Sequence, residues 1–157
     1  MKNFSVDLVF NAFNEIESIE KDLNLINTLR SNNDLINQVY IIEDGSTDGT
    51  SEKLQQLSDN YNLKLSQSKQ RRGYSKALIE GLSISKSEYI FFSDLGGKFD
   101  WSEVNNLIEK LPENDLVIGV RKHRNDQRYR RLLTYLYSKY ILIFYGIRSS
   151  DPDSGFR

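Results

Sequence analysis

Residues 39 to 50 of this chain read VYIIEDGSTDGT, and this stretch decides its fold. A short apolar run, typical of a buried strand, leads directly into acidic and turn-forming residues. Residues 89 to 100, YIFFSDLGGKFD, have the same arrangement. In open α/β sheets, ligands bind outside the carboxyl ends of the strands. The two stretches therefore predict a polar site at that edge of a sheet.

The rest of the chain alternates strand-like and helix-like segments. This alternation predicts an α/β fold in one domain, with a mostly parallel sheet and helices on both of its faces. Asn14 is expected to cap the first helix, with Ile16, Ile19, Leu23 and Ile26 on its buried face. The predicted strands are 6–10, 39–42, 63–66, 88–93 and 116–120, and the predicted helices are 15–30, 50–60, 74–86 and one that ends before Pro112.

The composition excludes several classes of protein. The chain has 157 residues, a net charge of −1, no cysteine and one histidine, His123. A disulfide framework, a thiolate metal site and a histidine-rich metal site are therefore excluded, and the balanced charge does not favour nucleic acid as a partner. No signal peptide is visible, and no apolar stretch is long enough to predict a membrane-spanning helix.

The last third of the chain differs in character. Residues 121 to 131 carry six basic side chains and one acidic side chain, and residues 132 to 145 are rich in leucine, isoleucine and tyrosine. Helical spacing predicts a C-terminal amphipathic helix, which is typical of an element that lies at a membrane surface. Alternatively, its apolar stripe packs on the sheet or on another segment. The stripe consists of Tyr129, Leu132, Leu133, Leu136, Tyr140, Ile143 and Phe144.

Five short motifs occur in order: residues 11–15 (NAFNE), 43–50 (EDGSTDGT), 72–78 (RGYSKAL) with Gly81, 118–121 (IGVR) and 151–157 (DPDSGFR). Together they resemble the catalytic domain of family 2 glycosyltransferases, most nearly the dolichyl- and undecaprenyl-phosphate sugar transferases. The resemblance implies a GT-A (Rossmann-like) fold. Because the chain stops within the last motif, we expect a single catalytic domain over residues 1–157 that is truncated at its C-terminal end.

The resemblance implies a nucleotide site around the first two motifs. Asp44 would accept a hydrogen bond from the base, unless it is only a turn residue, and Phe13 would stack on the base, unless it is a core aromatic. Glu15 either contacts the nucleotide or favours the first turn of its helix, and Asp48 is expected to be a helix cap. The residues assigned to nucleotide binding are Ala12, Phe13, Glu15, Asp44, Ser46, Gly73 and Lys76.

The second strand-end stretch matches only half of the family's Asp-x-Asp metal motif. Asp94 matches the first acid and is expected to bind Mg²⁺ or Mn²⁺, which would bridge the protein and the donor diphosphate. Gly96 stands in place of the second acid, and Lys98 follows. Either Asp94 alone holds a weakly bound cation, or Lys98 supplies positive charge itself, and we hypothesise that Lys98 partly replaces the metal. In a simpler interpretation, Gly96 and Gly97 form a tight turn and Lys98 is solvated.

Arginine side chains are expected to contact phosphate groups, because a guanidinium group donates planar, bidentate hydrogen bonds. Arg121 and Arg131 are counted with Asp94 and Lys98 as catalytic residues. Otherwise, the basic run is a solvated face or a patch for lipid headgroups. The residues assigned to the acceptor side are Asp100, which also caps the following helix, Arg124, Asp151 and Arg157.

The resemblance implies inverting transfer of a hexose from a UDP- or GDP-linked sugar to an acceptor. A polyprenyl phosphate has a second pKa of about 6 and is therefore ionised at neutral pH. Such an acceptor needs positioning more than it needs a general base. A glycan acceptor would need a carboxylate base, for which Asp100 and Asp151 are the candidates. The expected location is the cytoplasmic face of a membrane, and the apolar helix could make the protein form homo-oligomers in solution.

Three alternative functions compete with this interpretation of the sequence. The first is a non-catalytic GT-A module that binds nucleotide or lipid, which Gly96 supports. The second is a nucleotidyltransferase, but residues 10–15 contain no glycine that would build a phosphate loop. The third is a nucleic-acid-binding protein that uses residues 121–131, and the balanced charge argues against it.

Overall fold

The computed structural model describes residues 4–97, 99–120, 128–148, 154 and 156. Within these ranges the chain forms a four-stranded sheet with the order β3-β2-β1-β4, in which every strand pair is parallel. The predicted parallel α/β architecture is therefore confirmed. The strands are β1 (Val6–Ala12), β2 (Ile36–Glu43), β3 (Leu63–Gln67) and β4 (Tyr89–Asp94).

Helices connect these strands and cover both faces of the sheet. Two short 3₁₀ turns, Trp101–Glu103 and Leu111–Glu113, flank the helix that follows β4. Asp100 precedes the first of these turns, and its carboxylate accepts hydrogen bonds from the Ser102 N–H and hydroxyl groups. Its predicted role as a cap is thus confirmed. The helices are α1 (Ile19–Ser31), α2 (Thr50–Leu57), α3 (Tyr74–Ile84), α4 (Val104–Ile108) and α5 (Arg128–Tyr145).

Side chains along each strand alternate between two separate cores, as the pleat of a strand requires. On one face, Phe10 and Phe91 pack with helices α1 and α4 in a large core that includes Trp101 and Phe156. On the other face, Val9, Ile42 and Phe92 pack against Ala77 of α3. We call this second side the α3 face. Residues 11 of β1 and 94 of β4 continue the same alternation, so both belong to the α3 face.

The predicted fifth strand at residues 116–120 is wrong. This segment has no strand structure, and Leu116 and Val120 are exposed. The Gly119 N–H donates to the carbonyl oxygen of Phe156 at 2.9 Å, and the Ser154 hydroxyl donates to the Gly119 carbonyl at 2.7 Å. The backbone of this segment is therefore bonded to the C-terminal residues and does not extend the sheet beside β4.

Helix α1 begins at Ile19 and not at residue 15, so the predicted Asn14 cap is also wrong. Asn14 has a positive φ of 56° and accepts a hydrogen bond from the Thr47 N–H through its side-chain oxygen. The Ile16 N–H donates to Asp48, and the Ile16 side chain is exposed. Hydrogen bonds to the loop after β2 thus hold this segment out of the helix.

The predicted C-terminal amphipathic helix is present as α5. All seven residues of its predicted apolar stripe are between 47% and 74% exposed, so the stripe does not pack on the sheet in this structure. Tyr140 instead packs against Phe144 within the helix, with their ring centroids 4.7 Å apart. In the described ranges, no helix combines the length and the hydropathy that crossing a membrane requires.

Candidate functional site

A pocket of about 180 Å³ opens at the carboxyl ends of β1, β2 and β4. The α3 face supplies its floor, because residues 11 and 94 are neighbours in the β1–β4 ladder and Ala77 of α3 lies against the same face. This is the edge of the sheet at which the strand-end stretches predicted a polar site. The pocket is lined by Asn11, Ala12, Phe13, Glu15, Asp44, Arg71, Tyr74, Ala77, Asp94 and Leu95.

Asp44 is the buried acid of this pocket, with only 4% of its surface exposed. Its two carboxylate oxygens accept hydrogen bonds from the backbone N–H groups of Arg72 and Gly73, each at 2.9 Å. The Arg72 side chain lies 3.7 Å from the same carboxylate. Asp44 therefore fixes the loop that leads into α3. Since a carboxylate has about four lone-pair positions, capacity remains for a donor from a ligand.

Gly45 allows that loop to lie close to the end of β2. Its φ is +73°, and a Cβ atom added there would lie 2.4 Å from the Gln70 carbonyl carbon and 2.5 Å from the Arg71 nitrogen. A side chain at this position would push the loop away, because backbone atoms cannot yield as a flexible side chain can. Gly45 thus contributes to the shape of the pocket wall.

Phe13 and Arg71 face each other at the mouth of the pocket. The guanidinium carbon of Arg71 lies 4.0 Å from the centroid of the Phe13 ring, which is a cation–π contact. The ring is half-buried, and Arg71 is exposed. A flat aromatic ligand could stack on Phe13 if Arg71 moved aside or covered the ligand from its other side.

Asp22 and Gly96 set the conformation of the turn after β4. Asp22 of α1 accepts hydrogen bonds from the N–H groups of Gly96 and Gly97, each at 2.9 Å, and from the Trp101 indole N–H at 2.9 Å. Gly96 has a φ of +130°, and a Cβ atom there would lie 2.7 Å from a carboxylate oxygen of Glu15. The tight turn expected at these two glycines is therefore present, and the Glu15 carboxylate occupies the space in which a side chain at residue 96 would begin.

The loop after β2 is held together by its own acidic residues. Asp48 accepts hydrogen bonds from the Thr50 N–H and hydroxyl and from the Ile16 N–H. Burial raises the pKa of Asp48, but these hydrogen bonds outweigh that effect and lower the pKa below its ordinary value. Glu43, which is fully buried, accepts from the Ser46 N–H and the Ser51 hydroxyl. Both acids have structural roles here.

The structure brings together some of the residues assigned from the sequence and separates others. Ala12, Phe13, Glu15, Asp44 and Asp94 line the pocket. Several assigned residues lie elsewhere. Ser46 accepts from the Asn14 N–H, Gly73 donates to Asp44, Lys76 is exposed on α3, Arg131 is exposed on α5, and Asp100 is an exposed cap. The assigned residues Lys98, Arg121, Arg124, Asp151 and Arg157 lie outside the described residues.

Four residues that form the pocket or hold its neighbouring turn were not assigned from the sequence. Asn11 and Arg71 line the pocket, as does Tyr74, and Asp22 holds the turn after β4. Asn11 could have been found, because a polar side chain at the end of a buried strand is a ligand-binding signal in this architecture. Arg71 precedes the RGYSKAL motif directly. Asp22 gave no such signal, since an acid in the first turn of a helix is usual.

The oxygen donors of the pocket suit a hard divalent cation. Asp94 and Glu15 offer carboxylates, and the amide oxygen of Asn11, a buried acceptor without a hydrogen bond within the described residues, offers a third oxygen. These residues fit a site in which the ligand and water complete the coordination. Where the structure is described, no cluster of three or more His, Cys, Asp or Glu side chains could hold a metal ion by itself.

The sequence is similar to those of sugar transferases. Dolichol-phosphate mannosyltransferase of Pyrococcus furiosus is 28% identical over 136 residues, which cover 82% of this chain and 38% of that protein. Dolichyl-phosphate beta-glucosyltransferase of Dictyostelium discoideum is 31% identical over 97 residues, which cover 57% of this chain and 30% of that protein. This chain thus spans about a third of the length of these curated relatives.

The fold is similar to that of a solved transferase structure. Glucosyl-3-phosphoglycerate synthase from Mycobacterium tuberculosis, in complex with Mn²⁺, UDP and glucosyl-3-phosphoglycerate, matches with a TM-score of 0.68 and 20% identity, over 98% of this chain and 56% of that chain. This likeness confirms the expected GT-A fold. The family model for Glycosyl transferase family 2 matches residues 8–156. The chain therefore belongs to glycosyltransferase family 2.

Proposed function

We propose that this chain contains the donor site of an inverting glycosyltransferase, which moves a hexose from a UDP- or GDP-linked sugar to a polyprenyl phosphate. One observation carries the donor part of this proposal. A buried carboxylate, an aromatic ring and a second acid, from Asp44, Phe13 and Asp94, line one pocket at the carboxyl ends of three parallel strands. In a chain of this family, that combination supports the binding of a nucleoside diphosphate.

Each of these three residues has a separate role in the proposed donor complex. The base stacks on Phe13, and Arg71, which lies 4.0 Å from the ring without ligand, moves back to cover the base from the opposite side. Asp44 accepts a hydrogen bond from the base while it keeps its bonds to the loop before α3. Asp94, at the end of β4 and separated from Asp44 by β1, is assigned to the diphosphate.

A divalent cation, Mg²⁺ or Mn²⁺, would neutralise charge on the diphosphate leaving group when it is bound. Asp94 and Glu15 are the residues that would hold it. This assignment is supported by their oxygen donors in the pocket and by the Mn²⁺ in the structure of the mycobacterial synthase. The protein itself supplies orientation and excludes water from the anomeric carbon.

The acceptor assignment rests on the names of the two relatives, both of which are transferases for dolichol or dolichyl phosphate. A lipid phosphate is ionised near neutral pH and acts as the nucleophile without a general base. Its negative charge would be screened by the arginines of residues 121–131, of which Arg131 is exposed on α5. The exposed apolar stripe of α5 supports contact with a membrane surface, where such an acceptor is found.

A transfer assay tests this proposal. The chain is incubated with Mn²⁺, radiolabelled UDP-glucose or GDP-mannose, and a short polyprenyl phosphate in detergent. We expect label in the lipid phase, little label there with Asp94→Asn, and unchanged transfer with Lys64→Gln, a control at an exposed position of β3. A parallel reaction contains 3-phosphoglycerate in place of the lipid, and label transferred to it but not to the lipid would contradict the acceptor assignment.

The second candidate is a GT-A module that binds nucleotide or lipid without turnover, and Gly96 in place of the second acid favours it. This module would bind UDP or GDP and give no labelled product with any acceptor. Nucleotide binding in a parallel measurement, together with the absence of labelled product in the transfer assay, would therefore favour this module.

A further inference from the structure

Asn11 lies at the end of β1, is only 8% exposed, and lines the pocket. Among the described residues, neither its amide oxygen nor its amide nitrogen has a hydrogen-bond partner. Most buried polar atoms in proteins are paired, because an unpaired buried amide is costly. An aliphatic side chain would avoid this cost at the end of a strand. The retained amide therefore indicates that a ligand in the pocket completes its hydrogen bonding or coordination.

The neighbour of Asn11 shows which kind of ligand this is. Asn11 and Asp94 are partners in the β1–β4 ladder, and the Leu95 N–H donates to the Asn11 carbonyl at 2.9 Å. Both side chains belong to the α3 face and both line the pocket. An amide oxygen beside a carboxylate is a donor set that Mg²⁺ and Mn²⁺ accept.

The position two residues after Asp94, where a second acid would stand, disfavours any residue other than glycine. A Cβ atom at Gly96 would lie within 2.8 Å of both Glu15 carboxylate oxygens, and the φ of Gly96 is +130°. A further ligand for a cation at Asp94 is therefore better supplied by another segment of the chain. Asn11, on the adjacent strand, is placed to supply it.

We propose that the side-chain oxygen of Asn11 binds, together with Asp94, the divalent cation that accompanies a nucleoside diphosphate in this pocket. This inference rests on the proposed donor site. It assigns the function of the missing second acid to a residue on β1, outside the stretch that follows β4.

The test compares nucleotide binding with and without Mn²⁺. UDP and GDP are titrated calorimetrically into wild-type protein in Mn²⁺ and in EDTA, and bound Mn²⁺ is counted from the loss of the free Mn²⁺ signal in electron paramagnetic resonance. We expect Asn11→Ala to weaken binding in Mn²⁺ by about tenfold or more. Binding in EDTA should be unchanged, since Phe13 and Asp44 are intact.

A second variant identifies the atom that acts. With Asn11→Asp, a carboxylate oxygen replaces the amide oxygen, so a cation ligand predicts equal or tighter binding in Mn²⁺. If the amide N–H instead donates to a phosphate, the new carboxylate repels that phosphate and binding weakens, which would overturn the proposal. This variant also keeps the test valid if Asn11→Ala does not fold.

Ser93→Ala is the matched control. Ser93 is fully buried on β4 beside Asp94, and its hydroxyl also has no partner within the described residues. It belongs to the opposite face of the sheet, because it pairs with Phe10 in the ladder. Its removal should leave both affinities unchanged.

The outcomes separate the two proposals. If wild-type protein binds neither nucleotide, the donor site is wrong and the Asn11 assignment is wrong with it. If wild-type binding depends on Mn²⁺ and Asn11→Ala behaves as Ser93→Ala does, the donor site stands and the Asn11 assignment is overturned. Wild-type binding that EDTA leaves unchanged overturns the cation role of Asn11 in the same way.

Discussion

Gly96 is a single residue that limits which side chains fit in the turn after β4. Its φ is +130°, which residues other than glycine rarely adopt. A Cβ atom there would also lie 2.7 Å from a Glu15 carboxylate oxygen, so the Glu15 side chain would have to move. We predict that Gly96→Asp, which restores the family's acid in sequence, lowers the free energy of unfolding by about 1–3 kcal/mol. It should also fail to increase the affinity for Mn²⁺.

Gly97→Asn is the control for this substitution. Gly97 has a φ of +66°, which asparagine tolerates, and a Cβ atom there would lie 3.4 Å from that of Ser18. Its cost in urea denaturation should be clearly smaller. A Gly96→Asp protein that is as stable as wild type and binds Mn²⁺ more tightly would show that the space at residue 96 is open.

Single residues also show how far the sequence could be interpreted. Asp44 and Asp94 were predicted at strand ends, and both line the pocket, because the carboxyl ends of parallel strands meet at one edge. Ser46, Gly73 and Lys76 were assigned by their motifs, but Ser46 and Gly73 form hydrogen bonds that hold the loops, and Lys76 is exposed on α3. Motif membership does not distinguish a residue that touches the ligand from one that shapes the loop around it.

Asp22 connects two elements of the fold, helix α1 and the turn after β4. It is 1% exposed and accepts three hydrogen bonds, from Gly96, Gly97 and Trp101. Asp22→Asn places an amide donor against one of these N–H donors, so we expect a loss of about 1–3 kcal/mol of stability. Trp101 is the only tryptophan in the sequence, so its fluorescence emission reports the change directly.

The exposed acid Glu17 supplies a control for this substitution. Glu17→Gln makes the same change from carboxylate to amide near the start of α1 and should leave both stability and emission unchanged. If Asp22→Asn also leaves both unchanged, Asp22 does not hold the turn.

Asp7 connects β1 to the segment between α3 and β4. It is fully buried and accepts hydrogen bonds from the Lys86 and Ser87 N–H groups, from the Ser85 and Ser87 hydroxyls and from the Asn37 amide. Burial raises the pKa of Asp7, but these hydrogen bonds together outweigh burial and lower it below its ordinary value of 3.8. The folded protein is therefore stabilised by the ionised form.

The pH dependence follows from this direction. A lowered pKa in the folded state gives stability that is fully present above the unfolded-state pKa and is lost as the pH falls through the folded-state pKa. We predict that Asp7→Asn is about 2–3 kcal/mol less stable than wild type at pH 7. In urea denaturation, this difference should narrow as the pH falls below about 4. A difference that stays constant down to pH 2 would contradict the assignment.

At the element scale, the sequence predicted the four strands of the sheet and the helices between them, because each carries a clear apolar period. It failed at residues 116–120, which have an apolar pattern but no strand structure. The backbone N–H and carbonyl groups of Gly119 bond to Phe156 and Ser154, far away in sequence. A local pattern cannot show which distant segment a backbone will pair with.

Helix α5 presents exposed apolar side chains, through which the whole molecule could bind a membrane surface. Leu132, Leu136 and Ile143 are 58%, 54% and 74% exposed, and no spanning helix is present in the described part of the chain. If α5 contacts the membrane, replacing all three with serine should weaken binding to anionic lipid vesicles by tenfold or more. Flotation of the protein with vesicles measures this.

Leu25, Ile79 and Leu82 provide the matched control, because they are exposed apolar residues outside α5. Their triple replacement with serine should leave vesicle binding unchanged. Equal losses in the two variants would mean that general surface hydrophobicity, and not α5, drives the association.

We infer that the pocket at the ends of β1, β2 and β4 binds a nucleoside diphosphate with a divalent cation. The most direct test is a calorimetric titration of the wild-type chain with UDP and GDP, each in Mn²⁺ and again in EDTA. We predict that one of the two nucleotides binds in Mn²⁺ and that EDTA weakens its binding strongly. Binding of neither nucleotide in Mn²⁺ would contradict the account.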